Sequence, residues 1–133
     1  MHKFTILLCG MACFLFGAIL SACNGASTSQ SAPAAIQAYL RALETKDANQ
    51  MINLSCAAWE SQARLEYDSF AAVKVVLENL SCKESGKDGE DTLVACTGKI
   101  IASYGAEDLV IDLQERIYLA VNEGGEWRMC GYR

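Results

Sequence analysis

Seven cysteines in 133 residues constrain this chain more than any other feature, because their positions assign them different fates. Cys9 and Cys13 fall inside an uncharged run, FTILLCGMACFLFGAIL, which follows the short positive start Met1-His2-Lys3 and ends at Leu20. As a helix that run reaches about 25 Å, at roughly 1.5 Å per residue, somewhat short of a hydrocarbon core of about 30 Å. A basic start, an apolar middle and small residues at the end describe an export signal rather than part of a fold. In an exported domain Cys56, Cys82, Cys96 and Cys130 read as two disulfides. Cys82 and Cys96 lie symmetrically about Gly89, so a hairpin turning there sets them opposite each other. The expected pairs are therefore Cys82–Cys96 and Cys56–Cys130. In the chain-entropy account these closures contribute about 3 and about 4.5 kcal/mol. The net stability of a small domain is about 5–15 kcal/mol. A redox role is the competing reading, since Cys56 is near a helix start and Cys130 is two residues from Arg128. The structural reading is preferred.

The apolar run closes on Leu20-Ser21-Ala22-Cys23, which resembles the lipobox of bacterial lipoproteins. Small side chains let a peptidase approach the backbone, and only a thiol accepts the thioether-linked diacylglycerol. The resemblance implies a signal peptide over residues 1–22, lipid on Cys23 and a flexible tether over 23–32, with NGASTSQSA supplying small polar residues. Two or three acyl chains, palmitate among them, anchor stably where one is marginal. The expected location is the extracytoplasmic face of a bacterial cell membrane, with the membrane left open. An uncleaved anchor and a plain secretory signal are the alternatives.

Processing leaves residues 23–133, enough for one domain, over 33–133, with 10 basic residues against 16 acidic ones. That surplus of acid, without a basic cluster, argues against nucleic acid as a partner. No metal is expected, because there is no CxxC spacing and the single histidine, His2, leaves with the signal. The same loss excludes Ser-His-Asp and Cys-His chemistry from the mature chain. No cofactor is expected beyond the acyl chains on Cys23.

Ser31-Ala32-Pro33 opens the domain with a capping residue and a proline suited to a first helical turn. Ile36, Tyr39, Leu40 and Leu43 follow at helical spacing. Asp47 caps a second, short helix, with Met51, Ile52 and Leu54 inward. A third runs from about Ser55 to Tyr67, with Cys56, Trp59, Ala63 and Tyr67 on one face. Residues 70–77 fit helix or strand, and a helical turn capped by Ser69 is preferred. The period then shifts towards two. LENLSCKE and DTLVACTGKIIASY flank the turn SGKDGE, EDLVIDLQERIYLAV reads as one long strand, and Asn122-Glu123-Gly124-Gly125 precedes EWRMCGYR as a hairpin signal. Three or four helices followed by a four-strand antiparallel meander make an α+β domain.

Three stretches, ETKDANQM, LVACTGKIIASYG and GGEWRMCGYR, make the order similar to the nuclear transport factor 2-like superfamily. That resemblance implies helices packed into a curved, four-strand antiparallel sheet, a cystatin-like cone. Its ketosteroid isomerases and polyketide cyclases use acids, tyrosines or histidines inside the cone, and no such set matches here residue by residue. No catalytic residue is therefore assigned.

Glu115 and Arg116 interrupt an apolar run, and strand alternation lets only one point inward. Arg116 and Tyr118 share a face, so with Trp59 and Tyr67 they form a candidate pocket with aromatic walls and one charge. A packed core with a solvated outer face is the preferred alternative. Glu60, Glu66 and Asp68 read as surface charges. The leading expectation is a lipid-anchored, non-enzymatic binding domain whose partner is a protein, an envelope polymer or a small ligand. An isomerase- or cyclase-like enzyme acting on a small hydrophobic ligand is the second. Homodimerisation through the outer sheet face is the third.

Overall fold

The computed structural model describes residues 31–133. Lipidation at Cys23, the signal peptide and most of the tether lie outside the described residues. Three helices precede a five-stranded antiparallel sheet: α1 Ala32–Thr45, α2 Ala48–Asn53, α3 Glu60–Phe70, β1 Lys74–Asp88, β2 Asp91–Tyr104, β3 Glu107–Asp112, β4 Ile117–Glu123 and β5 Glu126–Tyr132. The α+β class stands. The four-strand sheet expected from the nuclear transport factor 2-like resemblance is corrected to five strands.

The extra strand comes from a break that the hydrophobic pattern hides. Within LVIDLQERIYLAV, the Asp112 side chain accepts from the Gln114 backbone N–H at 2.9 Å, and Leu113–Glu115 form a 3₁₀ turn. That turn splits one apparent strand into two. Both halves pair with the same flank of β2: Ala95 faces Ile117 in β4, whereas Lys99 faces Asp112 in β3. A continuous strand has no such switch, because each backbone group would stay in one register.

Helices α1 and α2 begin where their caps dictate. The Ser31 hydroxyl accepts from Ala34 N–H at 3.3 Å, and Asp47 accepts from Gln50 N–H at 2.9 Å. Helix α1 ends at Lys46 in the left-handed region (φ 61°), and the Lys46 ammonium donates to the Phe70 carbonyl at the end of α3. Two expectations fail at α3. The helix starts at Glu60 rather than Ser55, because the backbone before it serves the sheet: Cys56 N–H donates to Met129 O (2.8 Å) and Met129 N–H donates to Leu54 O (2.7 Å). The preferred helix over 70–77 is also corrected, since β1 starts at Lys74. Ser69 lies inside α3, donating to Leu65 O at 2.8 Å rather than capping a new turn.

The core lies between α1 and the sheet. Ile36, Tyr39, Leu40 and Leu43 from α1 meet Met51, Val94, Ile100, Leu113, Ala120 and Met129, all buried. Disulfides join Cys56 to Cys130 and Cys82 to Cys96. Cys82 and Cys96 are direct cross-strand partners, as the symmetry about Gly89 predicts. Gly124 and Gly125 both have positive φ (62° and 88°) in the two-residue turn between Glu123 and Glu126, the conformation that fits the twist of a hairpin. The β1 edge is tied to α1, because the Glu44 carboxylate accepts the Leu77 N–H at 2.8 Å.

Candidate ligand cleft

One end of the sheet holds a polar and aromatic cluster beneath α3. Tyr39 projects from the buried face of α1, Trp59 sits at the start of α3, and Glu66 lies two turns further along that helix. Strand β4 brings Tyr118, and Arg116, two residues before it, lies in the connection that follows the 3₁₀ turn. Strand β5 supplies Tyr132. A single register makes the last meeting: Tyr118 is paired with Tyr132 across β4 and β5.

Hydrogen bonds run in one direction through this cluster. Trp59 Nε1–H donates to the Tyr39 hydroxyl oxygen at 3.4 Å, and the Tyr39 O–H donates to Glu66 Oε2 at 2.6 Å. The Tyr132 ring meets Trp59 edge-on at 5.6 Å and Tyr118 edge-on at 5.8 Å between centroids. The Arg116 guanidinium lies over the Tyr132 ring, 4.3 Å from its centroid.

Burial dominates the electrostatics. It raises the Glu66 pKa above the usual carboxylate range, opposed by the Tyr39 hydrogen bond and by Arg116. Tyr39 is raised by burial and then by the Glu66 charge, so its proton stays on the phenol as the donor. Burial pushes Tyr118 up to about 12, with Arg116 acting against it. Tyr132 is raised by burial and by Glu66, again against Arg116. The Tyr118 hydroxyl is buried and makes no well-formed hydrogen bond, its polar neighbour being the Arg116 guanidinium.

A cleft of about 160 Å³ opens on this cluster, lined by Gln62, Leu65, Glu66, Phe70, Arg116 and Tyr132, with Ser69 at its edge. Of the four pocket residues expected from sequence, Trp59, Arg116 and Tyr118 come together around Tyr132. Tyr67 does not. Its hydroxyl is directed to Lys46 O at 3.5 Å, and its ring lines a separate hollow with Ala48, Ile52, Ala63, Arg64 and Asp68. Neighbouring positions on a helix point about 100° apart, so Glu66 and Tyr67 serve different surfaces.

Glu66 is therefore not the surface charge it resembles in sequence. Its signal was available: it lies seven residues after Trp59, which is two helical turns and hence the same side of the segment. Tyr132 carried no local signal, because only the β4–β5 register brings it to Arg116. Glu115, the other half of the charged interruption, is exposed in the 3₁₀ turn. Among the described residues no group of three or more His, Cys, Asp or Glu side chains is arranged to hold a metal. No helix among them is long and apolar enough to cross a membrane.

No family profile and no curated protein matches the chain in sequence. Solved structures do match in fold. A SEC-C motif containing protein from Rhodopseudomonas palustris, RPA3114, superposes with a TM-score of 0.55 at 10% identity, covering 80% of each chain. The helical cell shape determining protein Pgp2 from Campylobacter jejuni superposes with a TM-score of 0.50 at 11% identity. The match covers 75% of this chain but only 38% of Pgp2. At these identities the likeness is one of fold.

Proposed function

We propose that this chain is a lipid-anchored extracytoplasmic domain that binds a small ligand in the cleft beneath α3, without catalysing a reaction on it. The observation that carries the binding reading is the half-buried Arg116 stacked on Tyr132 at the floor of a cleft with Leu65 and Phe70 as walls. A few polar groups set among apolar and aromatic walls are what a small-molecule site requires. Anchoring rests on the sequence Leu20-Ser21-Ala22-Cys23, and the two closed disulfides are in keeping with an oxidising compartment. The mature charge, 10 basic residues against 16 acidic, disfavours a nucleic-acid partner.

The anchor is tested by replacing its sulfur. Cys23→Ser expressed in a bacterial host should lose incorporation of labelled palmitate and move from the membrane fraction to the soluble one. A variant that remains in the membrane fraction as before overturns the anchoring.

One observation favours an enzyme of the isomerase or cyclase kind: a desolvated acid, Glu66, lies beside a tyrosine. The same hydrogen bond weighs against it, because the Tyr39 proton is already committed to Glu66 and Tyr39 is fully buried. A cleft ligand recovered chemically altered after incubation with the protein would decide for the enzyme.

A further inference from the structure

We infer that the open edge of β3 is a docking site for an extended segment of a partner protein. That segment pairs backbone to backbone with Glu107–Asp112. It sets basic residues against Glu107, Asp108 and Asp112 and covers Leu109 and Val110 with apolar ones. The site shares no residue with the cleft beneath α3.

The other edges of the sheet are closed. Residues 54–56 run beside β5, with Cys56 N–H bonded to Met129 O and Met129 N–H to Leu54 O. The β1 edge is held to α1 through Glu44 and the Leu77 N–H. It also carries the exposed Lys74, Lys83 and Lys87, residues of the kind that deter a further strand. Strand β3 pairs with β2 on one side, and among the described residues no backbone hydrogen bond meets its other side. Its centre is apolar as well. Of four large apolar side chains left exposed among the described residues, three lie on the β2–β3 hairpin: Tyr104 and Leu109, each 47% exposed, and Val110, 51%. An apolar strand with a free edge is a template for another strand.

Charge decides what the template admits. Alternation puts Asp108, Val110 and Asp112 on one face of β3 and Glu107, Leu109 and Ile111 on the other. The Ser103 hydroxyl donates to Asp108 at 2.6 Å and the Gln114 N–H to Asp112 at 2.9 Å, both neutral donors. Lys99 is the partner of Asp112 in the β2 register but makes no ion pair with it, and none of the three acids has an ion pair among the described residues. A second copy fits badly. Two β3 strands paired antiparallel about Leu109 and Val110 put Glu107 opposite Asp112 at both ends, like charge against like. The chain's surplus of acid adds to that repulsion. A foreign strand with basic residues at those places gains opposite-charge pairs instead and covers the apolar centre. Six paired residues make a small contact, suited to an association that forms and releases.

The probes are two end-blocked peptides, KTVVKK and its acidic counterpart ETVVEE, which differ in charge alone. Each is titrated into the ¹⁵N-labelled full chain in neutral detergent micelles at low salt, with the backbone amides of Glu107–Asp112 as reporters. KTVVKK should shift those amides saturably, and ETVVEE should bind about tenfold more weakly or worse. KTVVKK methylated on both valine amide nitrogens cannot complete the backbone ladder, so its binding should fall by a similar factor. Val110→Lys, at an exposed position, sets a cation between Asp108 and Asp112 and should also weaken KTVVKK by that factor. Glu107→Gln, which removes one charge and keeps the side chain's shape, should weaken it severalfold. Equal binding of KTVVKK and ETVVEE, undiminished binding of the methylated peptide, or no saturable shift at Glu107–Asp112 overturns the proposal. So does a shift of the same amides on raising the concentration of the protein alone, which would make the occupant a second copy.

Discussion

The hydroxyl of Tyr39 donates a 2.6 Å hydrogen bond to the carboxylate of Glu66, twenty-seven residues further along the chain, and so fastens α1 to α3 at the base of the cleft. It is a bond between a fully buried phenol and a half-buried acid, made in a place where either partner alone would be costly.

Removing the donor shows the cost. Tyr39→Phe keeps the ring and deletes the bond, leaving Glu66 without its main compensation. The expected loss is about 2 kcal/mol, the range for a hydrogen bond to a charged group. Urea denaturation at neutral pH measures it, and the Glu66 pKa, followed by NMR, should rise further. A variant as stable as the parent would show that the bond contributes nothing.

Glu66 also gives the domain a pH dependence of unusual sign. Its folded-state pKa is raised, so across the window between its ordinary unfolded value and the folded one the folded protein binds more protons. Stability therefore falls as pH rises through that window, instead of rising as it does for a salt-bridged acid. Glu66→Gln, which keeps an acceptor for Tyr39, should flatten the slope there. The difference between the two stability-versus-pH curves is the measurement, and identical curves would contradict it.

The two disulfides should differ in weight. Cys56→Ala/Cys130→Ala opens a closure spanning 74 positions, and Cys82→Ala/Cys96→Ala opens one spanning 14. The expected losses are about 4.5 and about 3 kcal/mol. Denaturation midpoints of the two double variants, compared with the oxidised parent, should rank in that order.

Gly98 is fixed by its surroundings. It has φ 103° opposite the bulge at Asn79, and a Cβ there would lie 2.3 Å from Glu78 O and 2.7 Å from Asn79 O, both backbone atoms with no freedom to withdraw. Gly98→Ala combines a disfavoured φ with a backbone clash, for an expected loss of about 3 kcal/mol. Gly105→Ala, also at positive φ but with nothing within 4 Å, should cost less when both are melted side by side.

What the sequence conveyed follows from the range over which each signal acts. Caps are local, and both Ser31 and Asp47 hold their helices as the residues imply. The hairpins at Gly89 and at Gly124-Gly125 are nearly local, and the Cys82–Cys96 pairing followed from one of them. Residues 112–116 misled because the apolar alternation continues through a turn that only Asp112 marks, by accepting from Gln114 N–H. Residues 55–59 misled because a helical pattern lost to a long-range bond, Cys56 N–H to Met129 O. The cleft was half legible. Arg116 and Tyr118 share a short segment, but Tyr132 and Tyr39 reach them only through sheet register and helix packing.

The bridge between residues 54–56 and Met129, sealed by Cys56–Cys130, has a consequence for biogenesis. Synthesis is vectorial, so Cys56 meets Cys82 and Cys96 long before its proper mate has been made. An oxidant acting early would trap a mispaired thiol, and the error could be undone only by disulfide shuffling. A host deprived of its disulfide isomerase should accumulate this protein in scrambled forms, while one lacking only chaperones that act on reduced chains should not.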